Sequence, residues 1–348
     1  MSKRMTTAAI AAALVIGGAA SAQARDLSVV GWGGAFQKVM KDVYFDPFMK
    51  ASGIKMTDES WDGGIGVLRA KVEGGNATWD VVEVESDELA VGCEEGLFVP
   101  LDWPKIGGKA AYLPDAVHEC GVGTIAYDFV LAYDKDKLKA GPTSWADFFD
   151  TKKYPGKRGL RGGAKSTLEF ALIGDGVAPK DVYKVLATPE GQDRAFKKLD
   201  SIKKDLIFWK AGAQPPQLLA SGEVVMTSVY NGRIDAANLN DKRNFGIVWN
   251  GALFTIDSWV ILKGSPNVAS AYKFLDFVGK PATQAKLTPA IAYGPTAKDA
   301  AKYIDPKRLP DMPTAPDNMK NIVTIDSAFW LENIDRLNDR FNKWAASK

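Results

Sequence analysis

The sequence predicts an α/β protein of two lobes, each a mixed, mostly parallel sheet flanked by helices. Three observations carry that prediction. The first hundred residues alternate strand and helix patterns as βαβαβα, which is how a parallel sheet wrapped by helices reads. A second α/β stretch follows after strands that cross out of the first. The chain has 348 residues, more than one hydrophobic core usually serves.

The elements follow in order. "MSKRM" supplies Lys3 and Arg4, "TTAAIAAALVIGGAA" is a short apolar run, and "AQA" ends at Ala24. That is the layout of a cleaved secretory signal peptide over residues 1–24, and the run is too short to be a stable bilayer span. The mature chain is expected to be exported to the periplasm. "DLSVVGWGG" reads as a buried strand ending in a glycine turn, and "AFQKVMKDVYFDPFMKAS" as the helix after it. "GIKMTDESW" is a second strand, "GIGVLRAKVEGG" helical, "WDVVEVES" a third strand and "DELAVGCEEGLF" a short helix. Right-handed crossovers put the carboxyl ends of such strands on one edge, where ligands of open α/β sheets bind. Trp32, Gly33, Asp62, Glu85 and Ser86 all lie at those ends.

"GTIAYDFVLAYDKDKL" reads as strands leaving this lobe. "KRGLRGGAKSTLEFALIGDG" is a strand, turn and helix, and "AQPPQLLASGEVVMTSVY" a helix and strand. "FGIVWNGALFTIDSWVILKGSP" is expected to form two strands returning to the first lobe. "PATQAKLTPAIAYG" is helical with a turn, and "SAFWLENIDRLNDRFNKWAAS" a long amphipathic helix. The first lobe is therefore expected over 25–132 and 262–312, and the second over 133–261 and 313–348.

Composition narrows the function. The whole chain has 44 basic and 42 acidic residues. Loss of Lys3 and Arg4 with the signal brings the balance to zero, which argues against nucleic acid as a partner. Cys93 and Cys120 form an even pair in an oxidising compartment, so one disulfide is expected, with two buried free thiols as the alternative. Catalytic sets are lacking in the sequence. The single histidine, His118, has no nucleophile or metal spacing around it, and neither a nucleophile elbow nor a HExxH pattern occurs. No enzyme activity, cofactor or metal is expected. Tryptophans at strand mouths, among them Trp32 and Trp259, suit an amine through cation–π attraction of about 0.5–2 kcal/mol each.

At "WDVVEVESDELAVGCEEGLFVPLD", "SWADFFDTKKYPGKRGL", "SGEVVMTSVYNGR", "TIDSWVILKGSPN" and "IAYGP" the chain resembles the periplasmic spermidine/putrescine-binding proteins of ABC importers. The five motifs keep their order over essentially the whole mature chain. The resemblance implies a hinged two-lobed fold, a ligand held between aromatic side chains in the interlobe cleft, and carboxylates that take ammonium groups. It also implies a monomer that docks on an inner-membrane ABC permease with its ATPase. Trp32 matches the family's first-strand aromatic and Ser86 its polar position after the third strand. Tyr230 stands at the family's second-lobe tryptophan, Asp257 at its amine-binding aspartate and Tyr293 at its cleft tyrosine.

The departures point to a different ligand. Gly33 and Gly34 replace a polar or acidic residue, "GGAKST" (Gly162 to Thr167) replaces an acidic turn, and Arg233 stands where some relatives carry an acid. A diamine needs an anion at each end, because an unpaired buried ammonium is costly. Asp257 with Arg233 instead suits a ligand bearing one amine and one carboxylate, which arginine can hold bidentately. The expected ligand is an ω-amino acid such as γ-aminobutyrate, which relatives of this family bind. The alternative is putrescine or spermidine. In that case Arg233 only braces the cleft, on Asp235, Glu85 or Asp62, and the second ammonium goes to Asp62, Glu85 or Asp128.

Overall fold

The computed structural model describes residues 25–75 and 77–347; the expected signal peptide lies outside them. The strands that position the site are β1 (Leu27–Gly31), β2 (Met56–Ser60), β3 (Val81–Val84), β4 (Gly121–Asp134), β5 (Arg158–Arg161), β6 (Leu206–Trp209), β7 (Met226–Tyr230) and β8 (Phe245–Ile261). Their order across the sheet is β2-β1-β3-β8-β4-β7-β5-β6. In the first lobe β1 pairs β2 and β3 in parallel. In the second, β5 pairs β6 and β7 in parallel. The long strands β4 and β8 run antiparallel to each other and tie the two lobes together.

Both faces of β1 and β3 are covered, whereas the edge strand β2 is largely exposed. Val29 and Val81 face the large core, while Val30, Val82 and Val84 face a second cluster with Leu68, Leu89 and Phe98. This is why these strands read as continuous apolar runs rather than alternating ones. The stretch 245–266, expected as two strands, holds one bent strand. Its pairing with β4 steps from Leu131↔Val248 to Phe129↔Leu253. The residues between bulge out around Gly251, whose φ of 75° fits glycine. Trp145 Nε1 holds that bulge by donating to Gly251 O at 3.0 Å.

The helices that matter here are α1 (Gly34–Met40), α2 (Ser86–Glu94), α3 (Thr167–Gly174), α4 (Asn231–Asn240) and α5 (Ser327–Ala346). The helix expected over 35–52 is continuous but carries a π-helical turn at Lys41–Phe45. Helix α5 anchors on the second lobe: Trp330 Nε1 donates to Glu169 at 2.9 Å, and Asn338 Oδ1 accepts from Ala164 N at 2.9 Å. Cys93, on α2, and Cys120, just ahead of β4, form the expected disulfide, with Cα atoms 5.9 Å apart.

Candidate ligand cleft

The carboxyl ends of six strands meet at one cleft between the lobes. From the first lobe it is lined by Trp32, Phe36, Trp61, Asp62 and Glu85; from the second by Arg161, Lys210, Gly212, Tyr230 and Arg233. Ile125 and Tyr127 of β4, Asp257 of β8 and Tyr293 complete the lining. The space measures about 400 Å³ including its mouth.

Aromatic rings form the walls. Trp32 stacks on Trp61, with centroids 5.2 Å apart and planes 16° from parallel. Trp61 is fixed by its Nε1, which donates to Glu83 O at 3.1 Å. Tyr127 meets Tyr230 edge-on at 5.5 Å, and Phe36 meets Tyr293 at 5.1 Å.

The charges divide into used and unused. Glu85 is buried, and both of its carboxylate oxygens accept from Arg161, at 2.9 and 2.8 Å. Tyr230 OH donates to it at 3.1 Å, and Lys165 closes on the same carboxylate. Burial alone would raise its pKa, but Arg161 and Lys165 outweigh burial and hold it at about 2. Asp257 is the opposite case. It is 3% exposed, and its Oδ1 has no hydrogen-bond partner among the described residues. Desolvation, then the Glu83 and Glu85 carboxylates, push its pKa well above the usual aspartate range. A buried carboxylate with a free oxygen is a place for a cationic ligand group.

Arg233 reaches from α4 to the first lobe. It donates to Gly33 O at 2.8 Å and to Trp32 O at 3.0 Å, while its buried Nε lacks a partner among the described residues. None of the expected carboxylates braces it, and Asp235 pairs instead with Arg308 at 2.6 Å. The two glycines make this contact possible. Gly33 and Gly34 have φ of 63° and 60°, and a Cβ on Gly34 would come within 2.9 Å of Arg233 Nη1.

The structure brings together Trp32, Asp62, Glu85, Tyr230, Arg233, Asp257 and Tyr293. Three expected residues stand apart from the lining. Gly33 contributes its carbonyl to Arg233 rather than a surface to the cleft. Ser86 begins α2 and accepts from Thr255 Oγ1 at 3.1 Å. Trp259 is deeper along β8, opposite Glu83, and packs edge-on against Phe274 at 5.6 Å in the core. Asp128, weighed as a second acid, is buried outside the lining because its neighbour Tyr127 takes the cleft-facing side of the strand. Sequence reasoning missed Phe36, Ile125, Tyr127, Arg161, Lys210 and Gly212 and left Trp61 out of the set. Arg161 closes a predicted strand, so the strand-end rule was the available signal for it; Lys210 follows β6, where no strand was expected.

Comparison with known proteins agrees with this architecture. Residues 44–314 match the family described as "Bacterial extracellular solute-binding protein", and the chain belongs to it. A Gamma-aminobutyric acid-binding protein of Pseudomonas aeruginosa is 46% identical over 96% of this chain and 94% of its own length. A Spermidine/putrescine-binding periplasmic protein 1 of Haemophilus influenzae is 24% identical, covering 80% of this chain and 79% of its own. The solved Atu4243-GABA receptor is 36% identical with a TM-score of 0.81, covering 93% of this chain and 98% of its own.

Proposed function

We propose that this member of the extracellular solute-binding family captures a small ω-amino acid, with γ-aminobutyrate as the best representative, for uptake by an ABC importer. The observation that carries the reading is the division of charge in the cleft. Glu85 is already satisfied by Arg161, Lys165 and Tyr230, whereas Asp257 keeps a free, desolvated oxygen. One ammonium therefore has a partner. The other end of the ligand meets Arg233, with its free Nε, and Lys210 and Arg161, which suit a carboxylate. Trp32, Trp61 and the tyrosines give an ammonium-bearing chain flat apolar walls. The 46% identical relative named for γ-aminobutyrate supports the same ligand.

Ligand that touches both lobes shifts an open–closed equilibrium toward the closed form. The lobes we assign are 25–132 with 262–312 and 133–261 with 313–348, hinged on β4 and β8. In this reading the protein works as a periplasmic monomer, and the closed form docks on the inner-membrane permease with its ATPase. A polyamine reading has one observation in its favour: Asp62, Glu85, Asp87 and Glu88 gather at the outer cleft.

The test is titration calorimetry of ligand-stripped protein with γ-aminobutyrate, 5-aminovalerate, putrescine and spermidine. Binding of ω-amino acids with rejection of diamines is expected. Binding of diamines alone would overturn the reading.

A further inference from the structure

The cleft does not end at Glu85. It continues outward into a second chamber of about 1130 Å³, including its mouth, that runs toward α5. Asp62, Glu85, Asp87 and Glu88 line it. Carboxylates spaced along an extension of an amine site are what the distal ammonium groups of a diamine or polyamine require. Asp335 lines this chamber as well, and of these five carboxylates Glu85 and Asp87 are taken by a cation of the protein itself. Lys165 of the second lobe reaches across and donates to both Glu85 and Asp87 of the first.

The lysine is held in that position. It is only 7% exposed, and it follows the glycine turn that ends β5. The turn is pinned on one side by Asn338, which accepts from Ala164 N at 2.9 Å, and on the other by Thr167 Oγ1, which donates to Arg161 O at 2.9 Å. Ser166, next in sequence, is fully buried with φ of 68°, a conformation that persists when its surroundings dictate it. An incoming ammonium that seeks Glu85 or Asp87 must therefore displace Lys165 from them, or sit beside it as a like charge.

We infer that Lys165 is a specificity-determining residue: a tethered ammonium that fills the place of a diamine's distal end and restricts the cleft to ligands with one ammonium. The inference rests on the ω-amino acid reading of the inner cleft, and its test separates the two. Wild type and Lys165→Met are titrated calorimetrically with γ-aminobutyrate and with putrescine, and the melting temperature of each reports folding. Lys165→Met should bind putrescine at least about tenfold more tightly than wild type does. A folded variant that still binds γ-aminobutyrate but gains nothing for putrescine overturns the inference. Should Lys165→Met fail to fold, Lys165→Gln keeps a donor toward the two carboxylates and is judged by the same gain. The wild-type arm decides independently, since putrescine binding as tight as that of γ-aminobutyrate means that Lys165 excludes nothing. If wild type rejects both ligands and the variant gains putrescine, the assignment of Lys165 stands and the ω-amino acid reading falls.

Discussion

Asp257→Asn tests the ligand assignment most directly, because it changes charge with almost no change in shape. Asp257 is buried, and its Oδ1 is free to meet an ammonium. The asparagine carbonyl still accepts a hydrogen bond, so the loss is the difference between a charge-assisted bond and a neutral one. Those are worth about 1.5–3 and 0.5–1.5 kcal/mol, and the low local dielectric favours the upper end. The difference, toward its upper end, is about 1–2.5 kcal/mol, which corresponds to roughly 5- to 70-fold in Kd. The free protein should respond in the other direction. The folded-state pKa of Asp257 is raised, first by desolvation and then by Glu83 and Glu85. Its protonated form therefore stabilises the fold fully below the ordinary aspartate range, and that stability declines as pH rises toward the folded value. Asparagine cannot ionise, so the variant should gain on wild type in thermal melts as pH rises. Calorimetry with γ-aminobutyrate and melts at mildly acidic and mildly alkaline pH measure both halves. An affinity change below about threefold, with stability lost at alkaline pH, would refute the assignment of Asp257 as the ammonium partner.

Other perturbations separate binding from bracing. Arg233→Ala removes two bonds to first-lobe carbonyls and a cleft cation, and should weaken γ-aminobutyrate binding by about 2–3 kcal/mol; unchanged affinity would remove Arg233 from the site. Gly34→Ala combines a positive φ with a Cβ 2.9 Å from Arg233 Nη1 and should cost about 1–2 kcal/mol of stability from the backbone alone. The double variant with Arg233→Ala, followed by chemical denaturation, should recover the steric part of the loss and leave the backbone part. Reducing Cys93–Cys120 opens a loop of sequence separation 27 and should lower stability by roughly 3.5 kcal/mol on the chain-entropy model, read from denaturation with and without reductant. Glu85 is held at about 2, so its contribution is complete above the ordinary glutamate range and lost as pH falls toward that value. The cross-lobe ion cluster should therefore persist in mild acid, and its loss already near about pH 5 in fluorescence-monitored unfolding would contradict that.

How far the site could be read in advance depended on whether its determinants were local. The βα boundaries rest on runs such as Leu27–Gly31 and Val81–Val84, so Trp32, Asp62 and Glu85 were found by position alone. The same rule covers Arg161, but not Lys210, which follows a strand, β6, that the local pattern did not announce. What no local pattern carries is the partner: Arg161 and Lys165 meet Glu85 across 76 and 80 residues of chain. Those contacts turn Glu85 from a candidate ligand group into a satisfied one. Trp259 shows the complementary failure. Its neighbours in sequence place it near a strand mouth, but β8 is one 17-residue strand rather than two. The ring, on the same face as Asp257 but further along the strand and opposite Glu83, meets Phe274 in the core instead of the cleft. The departures at Gly33, Gly34 and Arg233 look unrelated in the sequence, separated as they are by 200 residues. In the fold they are one device. Arg233 reaches the carbonyls of Trp32 and Gly33 because Gly34 has no side chain in its path. A substitution that restored a side chain at Gly34 would displace the guanidinium from the cleft, so these positions are expected to act as a unit.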